Sequence, residues 1–479
     1  MEERMERRKG SSSLAPVGLA LPLLITSAIR DLIPLFLNQA IILVVLIFME
    51  FVVTGVPIRI YLASLMSLVS LLSQTGQHLL IIQLTGWSSC VGKISTIPRS
   101  ASTANSSRNL NLSRIIDFDN TDTAWRKYDS ITARELFRQF SCSGKLYSSI
   151  LNPLLQVGLY APAEQCSAAA TLGILYYTVL AHQNDFNLVW CRGTVKERIF
   201  QPWMDLLESK GCKFVGRRKL TDVIVDDDTN CLSDILCGRE RYEADAVVFA
   251  VEISVLQELI RNSAALYTKE EFVKVLNLRS VDLLTVKLWF DRKVNIPTAS
   301  NSCSALDNSF GWSFFNLNAI QDEYKDESVT VLQADFYHAN ELLPLNDEVI
   351  GEKVKSYLST CIKDFENAIV VKKEIGKFPE SLTHFFPGSY KYMMRGFTSF
   401  PNVFMAGDWI INRHGSWSQE KSYVTGLEAA NRVVDFLEEG SFAKIVPVDE
   451  EEPHVEALRG LNRRIDEIRS QLPFNGFFL

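Results

Sequence analysis

The chain contains no Cys-x-x-Cys pair, no two of its six histidines at metal-ligand spacing, and no Gly-x-Gly-x-x-Gly. The first two absences argue against a zinc knuckle, a dithiol redox centre and any other metal site, and no metal ligand is assigned. Nine scattered cysteines, odd in number on a long chain, read as free thiols in a reducing compartment. Positive charge is scarce too: 49 basic residues stand against 56 acidic ones, for a net charge of -7. No basic stripe is interleaved with aromatics, so nucleic acid is not the expected partner. There is no serine elbow, and no Cys/His pair has supporting context. The missing glycine loop matters most, because one part of the chain asks for it.

The 479 residues and 47% hydrophobic content are ample for two or three domains. Residues 1–93 differ in texture from the rest. After MEERMERRKG the sequence turns to Leu, Ile, Val and Ala, and Leu32 to Val53 has no Lys or Arg. That run is long enough to cross a bilayer core. It reads as a membrane anchor, as a pair of buried helices, or as a stretch joined to a sound domain by an imprecise gene prediction. It is too long and too acidic at its start for a signal peptide. Residues 94–114, rich in Ser, Asn and Thr, read as a linker.

From Ile115 the pattern is that of an α/β protein. Thr132-Ala-Arg-Glu135 predicts a capped helix start. Asn152-Pro153 is expected to break a second helix. The run CSAAATLGILYYTVLAH, apolar nearly all round, predicts a buried helix ending at His182. Thr194 is expected to cap an amphipathic helix that Gly211 ends. Strands are expected near 212–216, 220–226, 244–250, 282–291 and 329–336, with helices near 254–262 and 347–365. The last units are a strand from Val403 to Ala406 and a helix near 420–438.

Those last units carry the chemistry. In NVFMAGDWIINRHGSWSQEKSYVTGLEAANRVVDFL an apolar strand runs into Gly407-Asp408, and a helix N-terminus follows. Exposed N–H groups and the helix dipole favour negative charge there. Gly407 permits close backbone approach. Asp408 would be repelled by phosphate, so it is expected to accept hydrogen bonds from ligand hydroxyls or nearby N–H groups. Capping of its own loop is the plain alternative.

Gly407-Asp408-Trp409, Ser418-Gln419-Glu420, Thr425-Gly426 and Ala429-Ala430 together resemble the C-terminal FAD-binding segment of flavin-containing amine oxidases and phytoene-type carotenoid desaturases. Trp190-Cys-Arg-Gly-Thr-Val and the strand Asp245 to Ala250 resemble further cofactor-domain units of that superfamily. The block NPLLQVGLYAPAEQCSAAATLG resembles substrate-domain helices of plant desaturase-like members. The resemblance implies a Rossmann-like FAD/NAD(P)-binding domain beside an α+β substrate domain. It divides the chain into a helical substrate-domain part (115–190), an FAD-binding part (191–280), a substrate domain (281–395), a C-terminal FAD-binding segment (396–440) and a tail (441–479). It implies FAD contacts at Gly407, Asp408, Trp409, Ser418, Gln419, Glu420 and Gly426, with Leu220 near the adenine. Lys287, sharing a strand face with Thr285 and Trp289, is the candidate catalytic residue, against the plain reading of a solvated lysine. The implied reaction is hydride removal from the carbon of an apolar polyene or an amine, with reoxidation by oxygen or a quinone. A plastid or membrane-associated location is implied too.

The same superfamily normally grips the FAD pyrophosphate with Gly-x-Gly-x-x-Gly. Its absence leaves a second reading: a degenerate, non-catalytic, membrane-anchored relative without tightly bound FAD. A third class comes from Asp117-Phe-Asp119-Asn-Thr121, which spells the D-x-D-x-T of haloacid-dehalogenase-type phosphatases. The strand before it is too short and polar for that fold, so a solvated acidic turn is expected instead.

Overall fold

The computed structural model describes residues 117–139, 142, 144, 147–176, 191–303, 310–414, 419–448, 456, 457, 459–461, 463 and 464. The apolar segment 1–93, the linker, the stretch from 177 to His182 and Ser418 lie outside them. Among the described residues, no helix is long and apolar enough to cross a membrane.

Four helices share one apolar core built around Phe118, Trp125, Leu136, Leu155 and Leu172. Helix α1 (Asp122–Tyr128) is capped by the Thr121 hydroxyl, which accepts from the Ala124 N–H. Helix α2 (Ala133–Gln139) begins at Thr132, whose hydroxyl accepts from the Glu135 N–H, as the capping pattern predicts. Helix α3 (Asn152–Gly158) begins at Asn152-Pro153, the point where a discontinuity was expected, although the chain stays helical through it. A π-helical segment, Tyr147–Leu151, runs up to Asn152-Pro153, and the regular α-helix takes over there, with the proline in its first turn. Asn152 accepts from the Ala163 N–H at 2.9 Å. Helix α4 (Ala168–Leu175) is buried along almost its whole length, as its composition predicts, and Ser167 caps it.

Thr194 accepts from the Glu197 N–H and opens the stretch leading into α5 (Gln201–Ser209). Gly211, at φ +89°, ends it. Strands β1 (Asp222–Asp226), β2 (Cys231–Cys237) and β3 (Glu240–Glu243) form an antiparallel sheet. The strand expected at 212–216 is absent. β2 and β3 went unseen because charged residues interrupt their alternation. Asp234 is buried on β2 and pairs with Arg241 on β3.

Strand β4 (Val247–Phe249) precedes α6 (Ile253–Asn262). Then come β5 (Ser280–Phe290), β6 (Ser300–Cys303), β7 (Gly311–Asn316) and β8 (Val331–Tyr337). Helix α7 (Asp347–Cys361) and β9 (Val370–Thr383) follow. The second sheet runs β6-β7-β8-β5-β9, all antiparallel. Alternate residues of β5 and β8, among them Leu284, Val286, Leu332 and Phe336, pack with Ile350, Val354 and Leu358 of α7.

Strand β10 (Val403–Met405) pairs in parallel with β4, Val403 opposite Val247. Helix α8 (Gln419–Leu437) returns over the pair. Val247, Phe249, Val403 and Met405 face a core shared with β1, β2 and α6. Ala246, Val248, Phe404 and Ala406 face Ala429 and Val433 of α8. A parallel pair buried on both faces is the cofactor-domain pattern expected from the sequence. Asn402, just before β10, locks it to the first sheet. Its side chain accepts from the Leu232 N–H (2.8 Å) and donates to Leu232 O (2.7 Å) and Asp245 O (3.0 Å).

Candidate functional site

Parallel strands gather ligands at their carboxyl ends. Here both strand ends deliver an acid. β4 runs through Ala250-Val251 to Glu252, and β10 runs through Ala406-Gly407 to Asp408. The indole of Trp409 is buried and donates to Val251 O at 3.1 Å, tying the two strand ends together. Gly407 adopts φ +137°, a region closed to side-chain-bearing residues. Its N–H donates to the Thr425 hydroxyl at 2.9 Å, so the turn is fixed against α8 nearly two turns above its start.

Asp408 keeps part of its surface open to solvent although protein surrounds its carboxylate closely, as on the floor of a cleft. Burial raises its pKa. Lys421 and the N–H groups of Asp408 and Trp409 pull it the other way. Acceptance from N–H groups was one of the roles expected of this carboxylate. Glu252 is pushed up to about 8, first by burial and then by the Asp408 charge. Lys421, buried in the first turn of α8, is drawn down to about 8 by burial, against the pull of Asp408 and Glu428. Tyr160, which follows α3, also feels the Asp408 charge. Two acids and a lysine therefore meet in one cleft. This donor and acceptor set fits a polyhydroxylated chain better than a bare phosphate, and Gly407 leaves room for its close approach.

The other sequence-predicted residues sit on α8, just before β1 and on β5. Gln419 and Glu420 open α8, with Glu420 exposed in its first turn. Gly426 is buried in the same helix, next to Thr425. Leu220 is buried in the core just before β1. Ser418 lies outside the described residues. Lys287 sits on β5, and its Nζ donates to the Tyr324 hydroxyl at 3.2 Å while lying over the rings of Trp289 and Tyr324. His414 contacts Val446 O at 3.0 Å, as a loop histidine does. Glu252 and Lys421 were missed. Glu252 carried the same signal as Asp408, an acid directly after an apolar strand.

The D-x-D-x-T stretch is a helix cap. Asp119 accepts from the Thr121 N–H and hydroxyl at 3.1 and 2.6 Å, and Asp117 accepts from Lys127 and Tyr128. Among the described residues no cluster of three or more His, Cys, Asp or Glu could hold a metal ion.

Comparison with known proteins agrees with the resemblance read from the sequence. The profile of the flavin-containing amine oxidoreductases matches residues 126–434. The chain is 24% identical, over 65% of its length and 53% of the relative's, to the 15-cis-phytoene desaturase of Solanum lycopersicum. It is 21% identical to the zeta-carotene desaturase of Synechocystis sp., over 67% of its own length and 69% of the relative's. The chain spans about half the length of the plant relatives it matches. In fold it is similar to cyclohexylamine oxidase from Brevibacterium oxydans, with a TM-score of 0.52, 10% identity, and coverage of 78% of this chain and 86% of that one. The chain belongs to the flavin-containing amine oxidoreductase family.

Proposed function

We propose that this protein is an FAD-dependent oxidoreductase that removes a hydride from a C–H bond of a small organic substrate, an amine or an apolar carotenoid-like molecule. Oxygen or a quinone takes the electrons. The observation that carries this reading is the pair of acids at the carboxyl ends of parallel β4 and β10, with Gly407 and the first turn of α8 beside them. When bound, the isoalloxazine supplies the two-electron acceptor. Asp408 accepts hydrogen bonds from the ribityl hydroxyls, and Gly407 lets that chain lie against the backbone. Gln419, Glu420 and Gly426 border it on α8, Ser418 precedes them, and Leu220 serves the adenine side. Trp409 acts from beneath by fixing the two strand ends. Lys421 places positive charge in the cleft, where it opposes negative charge gathering on a reduced ring. Lys287 is the proposed proton-handling residue of the substrate sheet, held by Tyr324.

The degenerate, non-catalytic alternative draws no support from the family match. A plastid or membrane-associated location follows the names of the plant relatives and the apolar segment 1–93, and stays part of the proposal. The test is the absorption spectrum of the purified chain after expression in flavin-rich medium. Twin flavin bands at stoichiometric loading are expected. A colourless chain that remains colourless with added FAD overturns the reading. With flavin loaded, Lys287→Met is expected to slow flavin reduction while leaving the bands intact.

A further inference from the structure

Among the buried carboxyls that the site above leaves unused, Asp335 stands apart by an oxygen without a partner. Asp335 on β8 has no exposed surface. Its Oδ1 accepts from Gln333 Nε2 at 2.9 Å, and its Oδ2 has no hydrogen-bond partner. A buried polar atom left without a partner costs about 1–3 kcal/mol. Such an atom calls for an account: strain, a catalytic role, or a water, ion or ligand that completes it. Burial pushes this carboxyl up to about 7, so near neutral pH it stands between its neutral and charged forms.

The register of the sheet gives Asp335 its surroundings. Ser302 lies opposite Ser313, Ser313 opposite Asp335, and Asp335 opposite Thr285, so a polar row crosses four strands. Leu332, Ala334 and Phe336 alternate with Asp335 and pack with α7. The row therefore lies on the other face. That face also carries Tyr337, whose ring centroid is 5.4 Å from that of Tyr160. Tyr160 in turn feels the charge of Asp408. Tyr160 thus connects this face of the sheet with Asp408. Ser302, Ser313, Gln333 and Tyr337 on this face are buried, and Thr285, directly across from Asp335, is partly exposed.

We propose that Asp335 is the polar anchor of the substrate site, with Oδ2 taking one N–H or O–H donor of the substrate. This rests on the oxidoreductase reading and narrows it. The substrate carries a protonated amine or a hydroxyl, because a plain hydrocarbon would leave Oδ2 without a partner. Asp335 acts by recognition and takes no part in bond breaking.

The test uses the full chain loaded with FAD, in wild-type form and as Asp335→Leu and Asp335→Asn. Calorimetry measures binding of n-hexylamine, 1-hexanol and hexane, and the flavin bands record loading separately. The wild type is expected to bind the amine or the alcohol about tenfold or more tightly than hexane. Asp335→Leu is expected to abolish that preference without lowering the melting temperature. Asp335→Asn is expected to keep the preference for the alcohol and lose that for the amine. The proposal is overturned if Asp335→Leu keeps the wild-type ratios, or if the wild type shows no preference for donors. Missing flavin bands in the wild type refute the oxidoreductase reading instead, and the calorimetric ratios still decide the role of Asp335.

Discussion

Consider replacing Thr425 by valine. The two side chains have nearly the same shape, so the exchange removes an oxygen and leaves no cavity. Thr425 is buried, and its Oγ1 accepts from the Gly407 N–H at 2.9 Å. The hydroxyl proton has three carbonyls in reach: Lys421 at 2.8 Å, and Gly407 and Ser422 at 3.1 Å each. Lys421 O and Ser422 O lie inside a helix and keep their ladder bonds, so their loss adds little. The Gly407 N–H is different, because valine leaves it buried without an acceptor, at about 1–3 kcal/mol. Taking about 2 kcal/mol, and an unfolding entropy of roughly 2.1 cal/mol/K per residue over about 300 cooperative residues, the melting temperature should fall by about 3 °C. FAD affinity should fall with it, because the freed N–H lets the Gly407-Asp408 turn drift. Thr425→Ser keeps the oxygen and gives up one methyl, about 0.8 kcal/mol, so it should rank between wild type and valine. Scanning calorimetry with FAD fluorescence on release reads both effects. A valine variant that melts with the wild type and holds FAD as tightly would refute the claim that this hydroxyl fixes the turn.

Gly407→Ala tests the same turn through its backbone. The added Cβ meets only the Trp409 ring, at an ordinary 3.6 Å, so the expected loss of about 1–3 kcal/mol is strain at φ +137° alone, measurable by urea titration. Asn402→Ala should cost about 2–4 kcal/mol in the same titration, because Leu232 N–H, Leu232 O and Asp245 O all lose their partner; a loss under about 1 kcal/mol would mean that the tie to the first sheet is dispensable. Glu252→Gln should change the pH dependence of stability. The carboxyl rises from its usual 4.5 to about 8 in the folded chain. Between those values the unfolded chain releases the proton and the folded chain keeps it, so the wild type loses stability as pH rises through that window. Glutamine has no proton to hold, so the variant should gain on the wild type from about pH 4.5 to 8 and then level off. A difference that stays flat across the window would place Glu252 in ordinary solvent.

What the sequence made legible follows its periodicity. The strand before Gly407 and the helix after it were readable because VFMA is apolar and α8 repeats its buried positions at helical spacing. Strand β9 was not, because VVKKEIGKFPESLT is a charged strand at a sheet edge, where one side has no neighbour to demand apolar residues. Strands β6 and β7 hid for the opposite reason. Ser302 and Ser313 face a polar row inside the fold, so neither strand shows the usual alternation of apolar and polar residues. Asn152-Pro153 was readable as a discontinuity because proline has no N–H to give, and the helix does change there from a π-helical segment to the α-helix α3.

The site itself was half legible, for a physical reason. Asp408 announced itself through the glycine before it and the helix after it. Glu252 also has a helix after it, α6, but no glycine before it, and it becomes meaningful only once β10 is laid parallel to β4, a pairing between segments far apart in the chain. That pairing creates a tension. Two acids share a cleft whose burial raises the pKa of both, and the lysine beside them is itself pulled down by burial. Folding alone gains little from such a cluster, since burial penalises each charge more than its neighbours relieve it. A ligand that brings several hydroxyl donors to the acids changes that balance, because each hydrogen bond to a carboxylate favours its charged form. The proposed role of Asp335 extends the same logic to the substrate. The unmatched oxygen sits across from a partly exposed threonine, on the face that Tyr160 connects with Asp408. Asp335, with its unmatched oxygen, and the pair of Asp408 and Glu252 are thus the carboxyls that the proposed substrate and cofactor would meet.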